Sequence, residues 1–304
     1  MTPIQIKSKH TTRIIGTIPL CLSLALIGNH SAQALTITPT SDGNTLVNNI
    51  TGSGITIDPA SVNFIGASGS SGIFTDGIAS GIGIDSGIIL TTGQASAAVG
   101  SNSSDVTTTI NRVAGDSDLD VLNGSNTSDA SVLEFEFEST GGDVFLKYVF
   151  ASEEYNEFDN APPNDALAFF LDGENIALVP GTNTPVSVTT VNDGNLLPGD
   201  DHSEFYNNND PSDGGPFFDL EYDGFTDVFT ASFFGLTPGS HTLKLAIADG
   251  LGDAAIDSAV FIASDSLTDN SDLTTTVPEP SSILSLLGVL FFGSTALNFR
   301  KKTN

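Results

Sequence analysis

Near the middle of the chain Leu133-Glu134-Phe135-Glu136-Phe137-Glu138 alternates apolar and carboxylate side chains without a break. A period of two is the period of a strand: three apolar groups share one face and three glutamates the other. Such an apolar face has to be covered, so the pattern demands a sheet packed against a second layer. Further short apolar or alternating runs follow at Val144 to Phe150, Ala166 to Leu171, Ile176 to Val179, Val186 to Val191, Phe225 to Phe233, Thr242 to Ile247 and Ser258 to Ile262, bounded by Gly, Pro, Asn and Asp. Leu171-Asp172-Gly173-Glu174-Asn175-Ile176 reads as a hairpin. Upstream, glycines punctuate Ile-rich segments such as Gly87-Ile88-Ile89-Leu90. Each would cost a helix interior about 1 kcal/mol against alanine, which leaves one short helix at Thr45 to Ile50, capped by Asp42 or Asn44. The expected fold is all-β, an antiparallel jelly-roll-like sandwich in one domain over residues 35–263, followed by a flexible Ser/Thr/Asp/Asn linker at 264–276.

Both ends read as addresses. Lys7, Lys9 and Arg13 precede an apolar run from Ile14 to Ile27, and Ala32 and Ala34 complete a small-x-small cleavage site, so residues 1–34 are expected to be a signal peptide removed by signal peptidase. Leu20 is too bulky for a lipobox before Cys21, the one cysteine of the chain; the exported part is therefore free of disulfides and thiolates. At residues 277–304, Pro278-Glu279-Pro280 leads into nineteen uncharged residues, Ser281 to Phe299, closed by Arg300, Lys301 and Lys302. That is about the shortest apolar run that spans a bilayer as a helix, with a basic end held in the cytoplasm. The tail resembles the PEP-CTERM sorting signal, which implies an exosortase-type processing enzyme as partner, membrane insertion before processing, and export to the envelope surface or matrix of a bacterium. An ordinary tail anchor fits the same span.

Of nine basic residues only Arg112, Lys147 and Lys244 lie outside these two targeting ends, whereas all 37 acidic residues fall from Asp42 to Glu279. Such a field repels nucleic acid and concentrates divalent cations. The densest polar stretch carries Glu153, Glu154, Glu157 and Asp159, then Asn164 and Asp165, between two expected strands. Oxygen ligands at that density suit calcium, which takes six to eight of them in flexible geometry, although no EF-hand loop is present. Asp249, Asp253 and Asp257, in a glycine-containing connection, are the second candidate set. Solvated acidic loops explain both stretches equally well.

Catalytic groups are scarce. The exported part has two histidines, His202 and His241, and no Gly-x-Ser-x-Gly elbow, phosphate loop or dinucleotide fingerprint. Carboxylate chemistry of the glycosidase kind is the one enzymatic route left, with Glu153, Glu154 and Glu157 to supply the acids.

The strings Tyr148-Val149-Phe150-Ala151-Ser152-Glu153-Glu154-Tyr155-Asn156-Glu157-Phe158, Asn164-Asp165-Ala166-Leu167-Ala168-Phe169-Phe170-Leu171-Asp172-Gly173, Asp223-Gly224-Phe225-Thr226 and Asp257-Ser258-Ala259-Val260-Phe261-Ile262 resemble the choice-of-anchor L domain. The resemblance implies bacterial surface display and transfers no catalytic residue. Asp165 to Leu171 is also similar to the Asp-Gly-x-x-Phe-Phe stretch of legume-type lectins, which implies that Asp165, with Asn164 beside it, accepts sugar hydroxyls; Ala166 stands where that pattern has glycine. The expectation is a non-enzymatic adhesion or polysaccharide-binding module with calcium as cofactor. The competing readings are a glycoside hydrolase acting on envelope polysaccharide and a purely structural surface protein.

Overall fold

The alternating hexapeptide lies inside a twelve-residue strand, with Leu133, Phe135 and Phe137 buried and Glu136 and Glu138 exposed. The computed structural model describes residues 34–158, 164–193, 202–250 and 256–270. The signal segment through Ala32, the sorting motif Pro278, Glu279 and Pro280, the apolar run, the basic end Arg300, Lys301 and Lys302, and the candidate ligands Asp159 and Asp253 lie outside the described residues. Among the described residues no helix is long and apolar enough to cross a membrane.

Strands are numbered in chain order. The larger sheet contains β1 (Thr36–Pro39), β4 (Ser71–Thr75), β5 (Gly87–Thr91), β7 (Gly142–Ser152), β10 (Tyr206–Asn208), β11 (Gly224–Thr226), β12 (Phe229–Leu236) and β14 (Ser258–Ala263). The smaller contains β2 (Ile55–Ile57), β3 (Asn63–Ile65), β6 (Ser128–Ser139), β8 (Ala166–Leu171), β9 (Glu174–Asn175) and β13 (Gly239–Asp249). All pairings between these strands are antiparallel, in the orders β1-β4-β5-β14-β7-β11-β10 and β2-β6-β13-β8-β9. β12 shares with β11 the edge of β7 opposite β14, and β3 shares with β2 the free edge of β6. The two-sheet sandwich agrees with expectation, but eight and six strands exceed the eight of a jelly roll.

Between the sheets, Leu133, Phe135 and Phe137 of β6, Leu167 and Phe169 of β8 and Leu243, Leu245 and Ile247 of β13 meet Leu146, Tyr148 and Phe150 of β7 and Val260 and Ile262 of β14. Tyr148 stands edge-on to Phe169 at 4.8 Å and to Phe229 at 5.9 Å, the arrangement the ring quadrupoles favour. The outer faces are covered too. Val149, Phe225 and Phe261 pack against Ile82, Ile84 and Leu220, and on the smaller sheet Leu119 of the helix Ser117–Asn123 packs over Ala130, Val132, Ala166 and Ala246. Burial on both faces is why β5 and β14 read as continuous apolar runs and not as alternations.

The short helix extends over Gly43–Ile50, where the Asp42 side chain accepts a hydrogen bond from the Asn44 amide and the helix buries Leu46, Val47 and Ile50. Asp172 and Gly173, both with left-handed φ (49° and 85°), turn β8 into β9. Four expectations need correction. Ile176 to Val179 and Val186 to Val191 are not strands: the Thr190 hydroxyl donates to the Pro185 carbonyl, and the Thr190 and Val191 amides donate to the Ser187 carbonyl, folding the apolar run into a turn that buries Val186, Val188 and Val191. Phe225 to Phe233 breaks at Asp227, whose amide donates to the Phe205 carbonyl. Residues 264–270, expected to begin a flexible linker, are instead packed into the fold, since Leu267 and Thr268 are buried and Thr268 exchanges backbone hydrogen bonds with Phe145.

The strand directions gather many chain ends at one place. β7 ends at Ser152, where β14 and β11 begin and where β10 and β5 end; β13 ends and β8 and β6 begin at that same end of the smaller sheet. Leu35 and the segment 264–270 lie at the opposite end, since Thr36 pairs with Thr75 and Phe145 with Thr268.

Candidate functional site at one end of the sandwich

The connections β5–β6, β7–β8, β10–β11 and β13–β14 converge where β7 finishes, and they carry carboxylates inward. Asp129, Glu153, Glu154, Asp165, Asp210, Glu221, Asp223, Asp249 and Asp257 are all buried. The solvated-loop reading of the Glu153 stretch is therefore corrected for Glu153, Glu154 and Asp165, and likewise for Asp249 and Asp257; Glu157 alone of the described expected ligands is exposed. The cause is local. β7 runs buried through Ser152, so the next two glutamates leave the strand still inside the sandwich. The Glu154 amide donates to the Ser152 hydroxyl, which receives a second hydrogen bond from the Ser258 hydroxyl at 2.8 Å.

Two of the expected groups meet. Glu154 Oε2 accepts the Asp165 amide at 3.1 Å, and Asp165 Oδ1 accepts the Gly250 amide at 3.0 Å, tying the start of β8 to the ends of β7 and β13. Burial, reinforced by the charges of Glu154 and Asp249, pushes the Asp165 carboxyl well above the usual carboxylate range. Its Oδ2 has no hydrogen-bond partner. Asn164 is buried beside it, donating through Nδ2 to the Phe158 carbonyl at 2.8 Å and leaving its own Oδ1 without a donor.

Glu153 turns the other way, toward the connection 99–113 that lies across this end. Its Oε2 accepts the Thr107 amide at 3.4 Å, while Oε1 has no partner. Burial, and then the charges of Asp223, Glu221 and Asp257, raise its pKa to about 10. The same connection is pinned by Asp257 Oδ2 accepting the Thr109 amide at 2.9 Å and by Asp129, which accepts the amides of Asn111 and Val113 at 2.8 and 2.6 Å. Asp257 lies against Gly93, where a Cβ would stand 1.7 Å from its Oδ2.

Among the described residues one close carboxylate group contains none of the expected ligands. Asp105, Asp210 and Asp223 bring oxygens within 4.8 Å of one another, Asp105 exposed and the other two buried. Asp223 has its pKa raised to about 8, by burial and by Asp210, Glu157 and Asp105 against the hydrogen bond from Asn102 Nδ2 at 2.7 Å. Asn209, wholly buried, organises the surroundings: its Nδ2 donates to the carbonyls of Leu220 and Tyr222 and its Oδ1 accepts the amides of Phe217 and Phe218. Asp210 and Asp223 stand at the two ends of the connection between β10 and β11 and Asp105 in the connection 99–113, so no spacing in the sequence announces the group. The one signal was Asp223-Gly224, in which a side chain on the glycine would strike Tyr155 and Tyr206.

Among the described residues no ion pair involves Asp105, Asp210 or Asp223. The ion pairs there are His202 with Glu204, His241 with Asp172, and Lys244 with Asp116 and Asp118, none of them in the group. Buried carboxylates in that position hold either protons or a cation.

A cavity of about 220 Å³ opens beside Asp165, lined also by Leu122, Asn123, Pro185, Ser187, Thr189 and Thr190. The lining thus combines Asp165, Asn123, Ser187, Thr189 and Thr190 with the apolar Leu122, Leu167, Pro185 and Val186.

Residues 34–268 match the family described as Choice-of-anchor L domain. No curated protein and no solved structure matches the chain.

Proposed function

The chain belongs to the choice-of-anchor L family, and from that premise we propose that it is a displayed module which binds a saccharide unit of extracellular polymer in the cleft beside Asp165, without turning it over, with calcium supporting the acidic end. Membership suggests an exported cell-surface protein that is not an enzyme. The observation that carries the saccharide reading is the lining of the cleft. Sugars present hydroxyls to be bound by carboxylate, amide and hydroxyl groups, and C–H faces to be laid on apolar side chains, and the cleft offers both. The likeness of Asp165 to Leu171 to a lectin strand supports the same residue. Calcium belongs to this reading because a divalent cation binding only the folded state relieves repulsion among the buried carboxylates. Delivery rests on the two ends of the sequence: removal of residues 1–34 by signal peptidase, transient insertion through the apolar run, and processing beside Pro278-Glu279-Pro280 by an exosortase-type enzyme.

The test is a glycan and matrix binding screen on the full-length chain, with calcium and with chelator. Saturable binding that Asp165→Asn weakens at least tenfold supports the reading. Release of reducing sugar would replace it with the hydrolase reading, and ordered assembly with no saccharide bound would replace it with the structural one.

A further inference from the structure

We infer that Asp105, Asp210 and Asp223 form a calcium site that fastens the connection 99–113 to the end of the sandwich. The inference deepens the calcium part of the proposed function, on which it rests, and assigns the ion to residues outside the Glu153–Asp165 stretch. Calcium holds oxygen ligands at 2.3–2.6 Å, so two ligands on opposite sides of it stand about 4.8 Å apart. Three carboxylate oxygens all within 4.8 Å of one another fit around one such ion.

Proximity of acids alone would not make a site. The second observation is that Asp223 and its neighbour Glu153 each leave a buried oxygen without a donor, whereas Asp210 accepts from the amide and the hydroxyl of Ser212 at 2.6 and 3.0 Å. Asp223 is wholly buried, and while its Oδ1 accepts from Asn102, its Oδ2 has no hydrogen-bond partner. Glu153, 1% exposed, is a neighbour whose Oε1 is equally without a donor, and Asp223 is the foremost charge acting on it. A buried carboxylate oxygen left without a donor is destabilising, and a cation removes that cost. Asp105, exposed, leaves an approach from solvent, and Glu157, also exposed, is close enough for Asp210 and Asp105 to act on its charge.

The consequence is mechanical. Asp105 belongs to the connection 99–113, while Asp210 follows β10 and Asp223 precedes β11 at the two ends of one connection, so one ion joins two segments far apart in sequence. Val99 already bridges to Leu220, and the Glu221 amide donates to the Ala98 carbonyl, so the connection is seated at its beginning. The ion would hold its middle.

Calorimetry of the EDTA-stripped full-length chain with calcium chloride tests the assignment, with limited trypsin digestion as a second readout. Arg112 is exposed and is one of only three basic residues between the two ends of the sequence, so cleavage after it reports on the connection. Wild type should take up calcium saturably, magnesium at least tenfold more weakly, and calcium should slow cleavage after Arg112 several-fold. Asp105→Asn, on the surface and therefore safe for folding, should weaken calcium at least tenfold and abolish the protection while circular dichroism stays unchanged; Asp210→Asn should do the same. Wild-type affinity in both variants overturns the site, and so does loss of calcium confined to a Glu154→Gln/Asp165→Asn double variant, which would move the ion to the Asp165 side and leave the calcium reading standing. No saturable uptake by wild type overturns both.

Discussion

Tyr148 should be a residue the protein is better without. Its ring is fully buried between the sheets and packs edge-on against Phe169 and Phe229, yet its hydroxyl has no hydrogen-bond partner. Burial alone pushes its ionisation far above the ordinary tyrosine range, so the group stays a neutral phenol. Phenylalanine keeps the ring and its contacts and deletes only the orphaned O–H, whose desolvation costs about 1–3 kcal/mol. Tyr148→Phe is therefore expected to stabilise the domain by that amount, which at about 2–4 °C per kcal/mol for a domain of this size is a readily measured rise in Tm. Tyr222 is the control. It is equally buried, but its hydroxyl shares a 3.2 Å hydrogen bond with Thr91, so Tyr222→Phe should cost about 0.5–1.5 kcal/mol. Urea denaturation of the two variants alongside wild type reads both signs in one experiment. A destabilised Tyr148→Phe would refute the reasoning, because it would mean the hydroxyl makes a bond in solution.

Four further outcomes are expected. Lys244→Met removes the partner of Asp116 (2.6 Å) and Asp118 (2.7 Å); with Asp116 largely buried and Asp118 mostly exposed, the loss in urea denaturation should be about 1–3 kcal/mol. Gly93→Ala drives a Cβ into the buried Asp257 carboxylate and should cost at least about 2 kcal/mol, visible as a lowered Tm. Burial opposes protonation of His241, but its hydrogen bonds to Asp172 and to the Thr237 carbonyl win and raise its pKa, while Asp172 is lowered by that same pair. The pair thus contributes below the unfolded histidine value of about 6.5 and above the unfolded aspartate value of about 3.9, fading as pH rises through the folded His241 pKa or falls through that of Asp172. The stability gap between wild type and Asp172→Asn should therefore peak between those values, and a gap that grows above pH 8 would contradict the pairing. Mass spectrometry of envelope material should find the chain ending near Val277 to Pro280; an intact terminus would identify an ordinary anchor.

What the sequence disclosed was what is encoded locally. β6 follows from its alternation, β8 from a bounded apolar run matched at both ends, and the helix after Asp42 from its cap. Val186 to Val191 misled because burial of three valines does not require a strand when Ser187 and Thr190 can satisfy the backbone in a turn. At the acidic end, the stretch from Glu153 to Asp165 was recognisable by density. Its burial was not, because whether a glutamate after a strand points to water or inward depends on what covers it, here the connection 99–113. Asp105, Asp210 and Asp223 share no period, and Asp105 lies in a different connection from the other two. Only the pairing of β10 with β11, and of β11 with β7, brings them together.

Both places where the chain enters and leaves its sheets, Leu35 and the segment after Ala263, lie at the end remote from the carboxylates, with Phe145 and Ser152 about 23 Å apart along β7. Anything attached beyond Asn270 therefore pulls on that end of the sandwich, leaving the acidic end pointed away from the point of attachment. Load applied there is taken first by the short hydrogen-bonded stretch between Thr268 and Phe145, which would peel one bond at a time before it reached β14 in the middle of the sheet. The domain would thus yield at its stem while its outward face kept its shape.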